Sequence, residues 1–325
     1  MVLKNKKGLE MSFQWIFSII VGISVLFLAI YAASMFFDLG IFQHSTESAA
    51  RISVLLDPLE TSYDYSDNKL SFATEARLYN SCSNDGYFGT QDFQVQEKTF
   101  GSKWGKMSDK VSVRNKYVFS NSLEQGKIFY VSGISFSYPF KVTDLIILHT
   151  RPYCFEGTDD DIRNSLALLD ESKFNVRFEN CSNDKNYVQV CSGSSGCDVN
   201  IVGDETGGYV EKDNKRLYYA NRLIYAAIFS DSDVYECQIA RIAKKIANLC
   251  KVYEQKTEFT SLRVSECSTD INIKLAALRT TALAVSQSSD VSNDFITELS
   301  EPVSEVFQMN DEMSMCKVWE ESGYV

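Results

Sequence analysis

Histidine is almost missing from this chain: His44 and His149 are the only two in 325 residues. Any Ser-His-Asp or Cys-His catalytic arrangement would have to use one of them. His44 follows the N-terminal apolar run closely, and His149 ends the apolar stretch Leu145-Ile146-Ile147-Leu148. A strand-end histidine is ordinarily a packing or surface residue. There is no C-x2-C pair, so structural zinc lacks the close ligand pairs it normally uses. No glycine-rich phosphate loop, H-E-x-x-H helix or nucleophile elbow occurs either. Proline is scarce, at four residues, while 45% of the chain is apolar and 13% aromatic, which argues against extended disorder. Positive charge is also short. The 32 Lys and Arg against 43 Asp and Glu give −11 overall, which disfavours nucleic acid, whose phosphates need clustered cations. No cofactor is expected.

Charge is wholly absent from Phe13 to Phe37, a run of 25 residues. As a helix it would span roughly 37 Å, enough to cross a ~30 Å hydrocarbon core. Trp15 and Tyr31 stand near its ends, where amphipathic rings prefer to sit. Lys4, Lys6 and Lys7 precede it, and Arg51 is the only basic residue between it and position 60. The positive-inside rule then puts residues 1–12 in the cytoplasm and residue 38 onward outside, with the lipid bilayer as partner of Phe13–Phe37. A cleaved signal with Ala29 to Ala32 before the cut is the competing reading, and the apolar core is long for it.

Lys6-Lys7-Gly8 followed at once by this apolar helix resembles the class III signal peptides of archaeal type IV pilins. The resemblance covers about 30 residues. It implies processing between Gly8 and Leu9 and packing into a filament through the helix. That family usually carries a glutamate at the fifth mature position; here Phe13 stands there and Glu10 occupies the second. Taken with the cysteine-bearing part behind it, the chain is similar to uncharacterised single-pass surface proteins of small-genome archaea, a likeness that implies no activity.

All nine cysteines lie beyond the anchor, on the side where disulfides persist. Cys82, Cys154, Cys181, Cys191, Cys197, Cys237, Cys267 and Cys316 are the disulfide candidates, and the odd number leaves one over. The strand-like runs 174–181 and 187–191 flank a polar turn, so a hairpin bridge Cys181–Cys191 is expected, with Cys197 as rival partner for Cys191. From Ser232 on, Tyr235, Ile239, Ile242, Ile246, Leu249 and Tyr253 form one seam of a helix. On a wheel of 100° per residue Cys250 falls about 60° from the centre of that seam and Cys237 about 160° away. Cys250 is therefore expected to be the free, buried thiol, and Cys237 to bond something covering the helix's other face.

The pattern along the chain is α+β: one N-terminal transmembrane helix, an antiparallel β-rich extracytoplasmic domain and a C-terminal antiparallel helical region. The divisions are 1–12, basic; 13–37, transmembrane; 38–58, a helical stem ended by Pro58; 59–230, β-rich; and 231–325, helical. Period-two runs such as Leu70–Thr74 and Ile134–Tyr138 alternate with turn signals. Gly207-Gly208 and Asp213-Asn214 also look like turns. Thr158 with Asp159 to Asp161 opens a short helix to Leu169, and Asp231 and Asp233 open the long one. Helix capping explains both acidic clusters more simply than calcium does. Further helices are expected over 269–288 and 291–314. Asn180-Cys181-Ser182 matches the N-glycosylation pattern. The aromatics Tyr117, Phe119, Phe129, Tyr130, Phe136, Tyr138, Phe140 and Tyr153 could build a sugar platform, although strand alternation assigns half of them to the core.

The resulting expectation is a structural or interaction protein of the cell envelope, held in the cell membrane with its bulk extracytoplasmic and without catalytic activity. Its partner would be an envelope protein or a glycan. A pilin-like filament subunit is the alternative. A second alternative, a glycan-active enzyme, requires two carboxylates facing each other across a cleft.

Overall fold

A computed structural model describes residues 15–33, 65–99, 103–158, 160–167, 174–178, 181, 186–193, 196–264 and 267–320. The expected stem over 38–58, the basic segment 1–12 with Gly8 and Leu9, and His44 lie outside the described residues. Helix α1 (Trp15–Ala33) is 19 residues long, apolar enough to cross a membrane, and exposed along its whole length.

Two six-stranded sheets and a set of helices follow. The first sheet contains β1 (Tyr65–Ser83), β2 (Thr90–Glu97), β3 (Val111–Val113), β4 (Tyr117–Phe119), β5 (Leu123–Ser137) and β6 (Lys141–His149), in the order β3-β2-β1-β5-β6-β4. Every pairing in it is antiparallel except β4 with β6. β6 is buried on both faces, which is why Leu145–Leu148 reads as an unbroken apolar run. Leu145 and Ile147 enter the main core, while Ile146 and Leu148 join Leu78, Phe93, Val95, Val118, Phe129 and Val131 in a second core. The sheet curls around that second core until its far edge returns to β1 and β2. Asn80 Nδ2 donates to Ser120 Oγ, just past β4, at 2.7 Å, and Val118 N–H to Gln91 Oε1 at 3.4 Å.

The second sheet contains β7 (Tyr153–Glu156), β8 (Val176–Phe178), β9 (Val188–Ser192), β10 (Val199–Gly203), β11 (Gly207–Lys212) and β12 (Lys215–Ala220). Its order is β12-β11-β10-β9-β7-β8. Here the antiparallel expectation is corrected: β10–β9, β9–β7 and β7–β8 are parallel. Helix α2 (Asp160–Ala167) lies in the β7-to-β8 crossover, and parallel neighbours need such a connection. Gly207-Gly208 is the start of β11 and not a turn. Asp213 and Asn214 do form the tight β11–β12 turn, both at positive φ (51° and 58°), as a two-residue hairpin of the primed type requires.

Helix α3 (Leu223–Phe229) interrupts what was expected to be strand territory. All seven of its residues are buried, so it shows no polar face and no amphipathic period. Helices α4 (Ser232–Ser261), α5 (Ile271–Val285) and α6 (Val291–Glu312) complete the fold. The α4 seam faces the main core: Tyr235, Ile239, Ile242 and Ile246 are fully buried, and Leu249 and Tyr253 pack against them. Pro302 is accommodated within α6.

Four disulfides join Cys82 to Cys237, Cys154 to Cys181, Cys191 to Cys197, and Cys267 to Cys316, and Cys250 is free and buried. The expected Cys181–Cys191 bridge is therefore wrong. β7 lies between β8 and β9, so the chain just after β8 and the end of β9 flank it on opposite sides. Two strand spacings amount to about 9.6 Å, beyond what a disulfide reaches. Cys181 bonds instead to the intervening strand at Cys154, with a Cα separation of 5.7 Å. Cys191 takes its rival partner Cys197 across the short β9–β10 connection.

Candidate functional site

The densest polar constellation joins α4 to the β1–β2 hairpin. Cys237 is bonded to Cys82, and the residues next to it on α4 reach the same hairpin. Gln238 Nε2 donates to the Val118 carbonyl at 3.0 Å and to Gln91 Oε1, so side chains serve backbone that the edge strand β4 leaves open. Arg241 Nη1 donates to Gln238 Oε1 at 2.8 Å and to Gln91 Oε1 at 3.3 Å, and its Nε donates to the Phe88 carbonyl at 3.1 Å. Gln91 Nε2 donates to Asn80 Oδ1, and Asn80 Nδ2 to Ser120 Oγ at 2.7 Å. The guanidinium is fully buried and lies 4.8 Å from the centre of the Tyr117 ring. Desolvation lowers its pKa. One turn further on, Lys244 Nζ donates to the carbonyls of Asn84 and Gly86. This arrangement is a fastener: Gln238, Lys244 and two of the three guanidinium nitrogens of Arg241 donate to backbone carbonyls and side-chain amides, and Arg241 Nη2 is buried without a hydrogen-bond partner.

A second group of ionisable residues, His149 and Glu124 buried and Lys212 half-buried, lies where the two sheets meet. His149 is enclosed by Tyr130, Tyr153, Phe174 and Phe229, with ring centroids 4.6–5.5 Å away. Its Nδ1 donates to the Arg151 carbonyl at 2.8 Å. Burial pushes its pKa down to about 4, so the ring is neutral at ordinary pH. Glu124 accepts from Thr150 N–H at 3.1 Å, Thr150 Oγ1 at 2.6 Å and Asn121 Nδ2 at 2.6 Å, and desolvation raises its pKa. Lys212 donates to the carbonyls of Ala227, Ile228 and Ser230 at the C-terminus of α3. Those carbonyls have no partner within a buried helix end, and a cation also suits that end of the dipole. Desolvation brings Lys212 down to about 7.

Each position singled out from sequence can now be placed. Of the eight proposed platform aromatics, seven are buried and only Tyr130 is partly accessible, so that platform is corrected to core. Asp160 and Asp161 lie in the first turn of α2; Asp159 is outside the described residues. Asp231 caps α4, accepting from Val234 N–H at 2.9 Å and from Ser122 N–H at 2.6 Å. Asp233 pairs with Lys215 at 3.1 Å. In the Asn180-Cys181-Ser182 pattern, Cys181 is disulfide-bonded, and the other two lie outside the described residues. Among the described residues no group of three or more His, Cys, Asp or Glu could hold a metal ion. A shallow depression, open to solvent, lies beside the Cys267–Cys316 bridge and is lined by Lys256, Thr260, Met313 and Lys317. Lys256 already donates to the Val318 carbonyl and Lys317 pairs with Asp311.

Arg241, Lys212 and Glu124 went unnoticed in the sequence, because charged residues default to the surface. The α+β chain thus joins one exposed apolar helix to a disulfide-bonded body fastened by buried polar contacts. No family model, no curated protein and no solved structure matches this chain.

Proposed function

We propose that this protein is a membrane-anchored, extracytoplasmic structural or interaction protein of the cell envelope, without a catalytic role. The observation that carries the reading is the coexistence of α1, apolar and exposed on all sides, with eight of nine cysteines held in disulfides. A solvent-exposed apolar helix of that length is stable in lipid and not in water. Disulfides persist outside the reducing cytosol. The lysines ahead of the helix supply the orientation. The ionisable side chains support the non-catalytic part, since Glu124, Lys212 and Arg241 are each committed to structural partners.

The test is protease treatment of intact cells, followed by alkylation of the protein without reduction. Digestion of the body with survival of a short α1-containing fragment is expected, and only Cys250 should take up label, after unfolding. Complete protection from protease, or general labelling of the cysteines, would overturn the reading. A mature chain starting at Leu9 and recovered in filaments would select the pilin-like alternative.

A further inference from the structure

Charge is distributed very unevenly over the body of this protein. Residues 98–116 contain Lys98, Lys103, Lys106, Lys110, Arg114 and Lys116 against Asp109 alone, a net of +5; in the fold Lys98 pairs with Glu75, Lys110 pairs with Asp92 and Lys116 is buried. Residues 38–325 as a whole carry −13, so the remainder carries −18. The described part of this basic segment is held along the outside of β2. Lys98 and Trp104 form an isolated bridge, Gly105 N–H donates to Glu97 O at 3.0 Å, and Ser108 N–H donates to Val95 O at 2.8 Å. Trp104 is covered by Arg77 at 3.9 Å. The segment ends in β3, the edge strand of the first sheet. Lys103, Lys106 and Arg114 are exposed.

The opposite charge is concentrated on α6, which has no Lys or Arg. At 100° per residue Asp294, Glu298, Glu301, Glu305 and Glu312 fall within about 60° of one another, well away from the buried face made by Phe295, Leu299, Val303 and Val306. Like charges at i, i+4 weaken a helix; Glu305 is paired with Lys274 at 2.8 Å and Asp294 accepts from Ser288 Oγ, while Glu298, Glu301 and Glu312 are exposed. From Asp294 to Glu312 it runs about 27 Å. Lys103 to Arg114, as extended chain, reaches at most about 36 Å. α6 lies against β12, the edge strand of the second sheet, where Tyr218 N–H donates to Ser292 Oγ at 3.3 Å. The two stripes are thus carried by different sheets of one chain and match in sign and length.

We propose that the body associates head to tail with a second copy of this chain, the basic β2–β3 segment of one lying along the acidic stripe of α6 of the next. Such a contact joins two different surfaces, so it can extend into a ring or an open array. The inference rests on the reading of the protein as an interaction protein and names its partner.

Full-length protein in nonionic detergent, followed by sedimentation velocity, tests it. Association at about 20 mM salt should weaken at least tenfold by about 500 mM, as the screening length falls from ~20 Å to ~4 Å. The triple variant Lys103→Glu/Lys106→Glu/Arg114→Glu should not self-associate, and neither should Glu298→Lys/Glu301→Lys/Glu312→Lys. Mixed together they should associate in equal proportion, through the native acidic stripe of one with the native basic segment of the other and through the two reversed surfaces, which are complementary in turn. These side chains are exposed, so unchanged thermal unfolding checks that each variant is folded. Carbodiimide crosslinking of mixed light and heavy protein should join Lys103 or Lys106 to α6 carboxylates between copies. Association that ignores salt, or a mixture that stays monomeric, would overturn the proposal. So would a basic segment that is protected only in nanodiscs of anionic lipid, which would assign that segment to the bilayer surface. Protease protection in cells would defeat the extracytoplasmic reading and leave this purified-protein result standing.

Discussion

Gly89 and Arg241 share one space. Gly89 has φ +64°, and a Cβ built there would stand 2.8 Å from Arg241 Nε and 2.4 Å from the Ser83 carbonyl. Only a residue without a side chain lets the guanidinium reach the Phe88 carbonyl. Gly89→Ala should therefore cost about 3 kcal/mol, combining the left-handed backbone with the clash. Urea denaturation measures this, and a loss below about 1 kcal/mol would show that the hairpin shifts freely.

The Cys82–Cys237 bridge spans 155 residues and Cys191–Cys197 spans 6. Loop-closure entropy predicts about 5 kcal/mol for the first and about 2 kcal/mol for the second. The paired serine variants should follow that order in thermal unfolding. The reverse order would mean that the short loop controls the second sheet.

His149 is held at about 4 in the folded state, below its ordinary value near 6.5. The folded protein therefore binds fewer protons than the unfolded one between these values. Its contribution is fully present above about pH 6.5 and is lost as pH falls towards 4, to a total of about 3 kcal/mol. His149→Phe should flatten this part of the stability–pH curve. An unchanged slope would assign acid sensitivity to other groups.

Lys212 is lowered to about 7, so the folded state releases its proton while the unfolded state keeps it. Stability should rise by roughly 1.5 kcal/mol between pH 7 and 8.5, a rise that titration of Cys250 in the unfolded chain begins to oppose only at the upper end. Lys212→Met should abolish the rise. It should also cost about 2 kcal/mol at pH 7, from the carbonyls left open at the end of α3. If Lys212→Met is as stable as the parent, another donor serves those carbonyls.

Elements with one polar and one apolar side were legible in the sequence. The α4 seam and the opposite placements of Cys237 and Cys250 follow from helical period, the short α2 from the capping residues Thr158 to Asp161, and the Asp213-Asn214 turn from its residue types. Helix α3 was not legible, because Leu223–Phe229 has no polar side to mark a period. The parallel pairing of β7, β8 and β9 was hidden for a different reason: neighbours in a sheet are chosen by the core they share, and local residue types do not record that choice. The same gap produced the mistaken Cys181–Cys191 pair. The fastener was hidden too, since nothing around Arg241 in the sequence announces that Gly89, far away in the chain, leaves room for it.

The separation between Cys82 and Cys237 also bears on how the protein is made. Cys154, Cys181, Cys191 and Cys197 are all synthesised after Cys82 and before its partner. Oxidised in order of appearance, Cys82 would be captured by Cys154, and Cys181 would lose its own partner. Native connectivity is reached only if Cys82 stays reduced until α4 has been made, or if early bridges are reopened by exchange. Production of this chain should therefore depend on late oxidation or on thiol–disulfide exchange, and yield in a host lacking an isomerase should depend on the redox buffer more than on temperature.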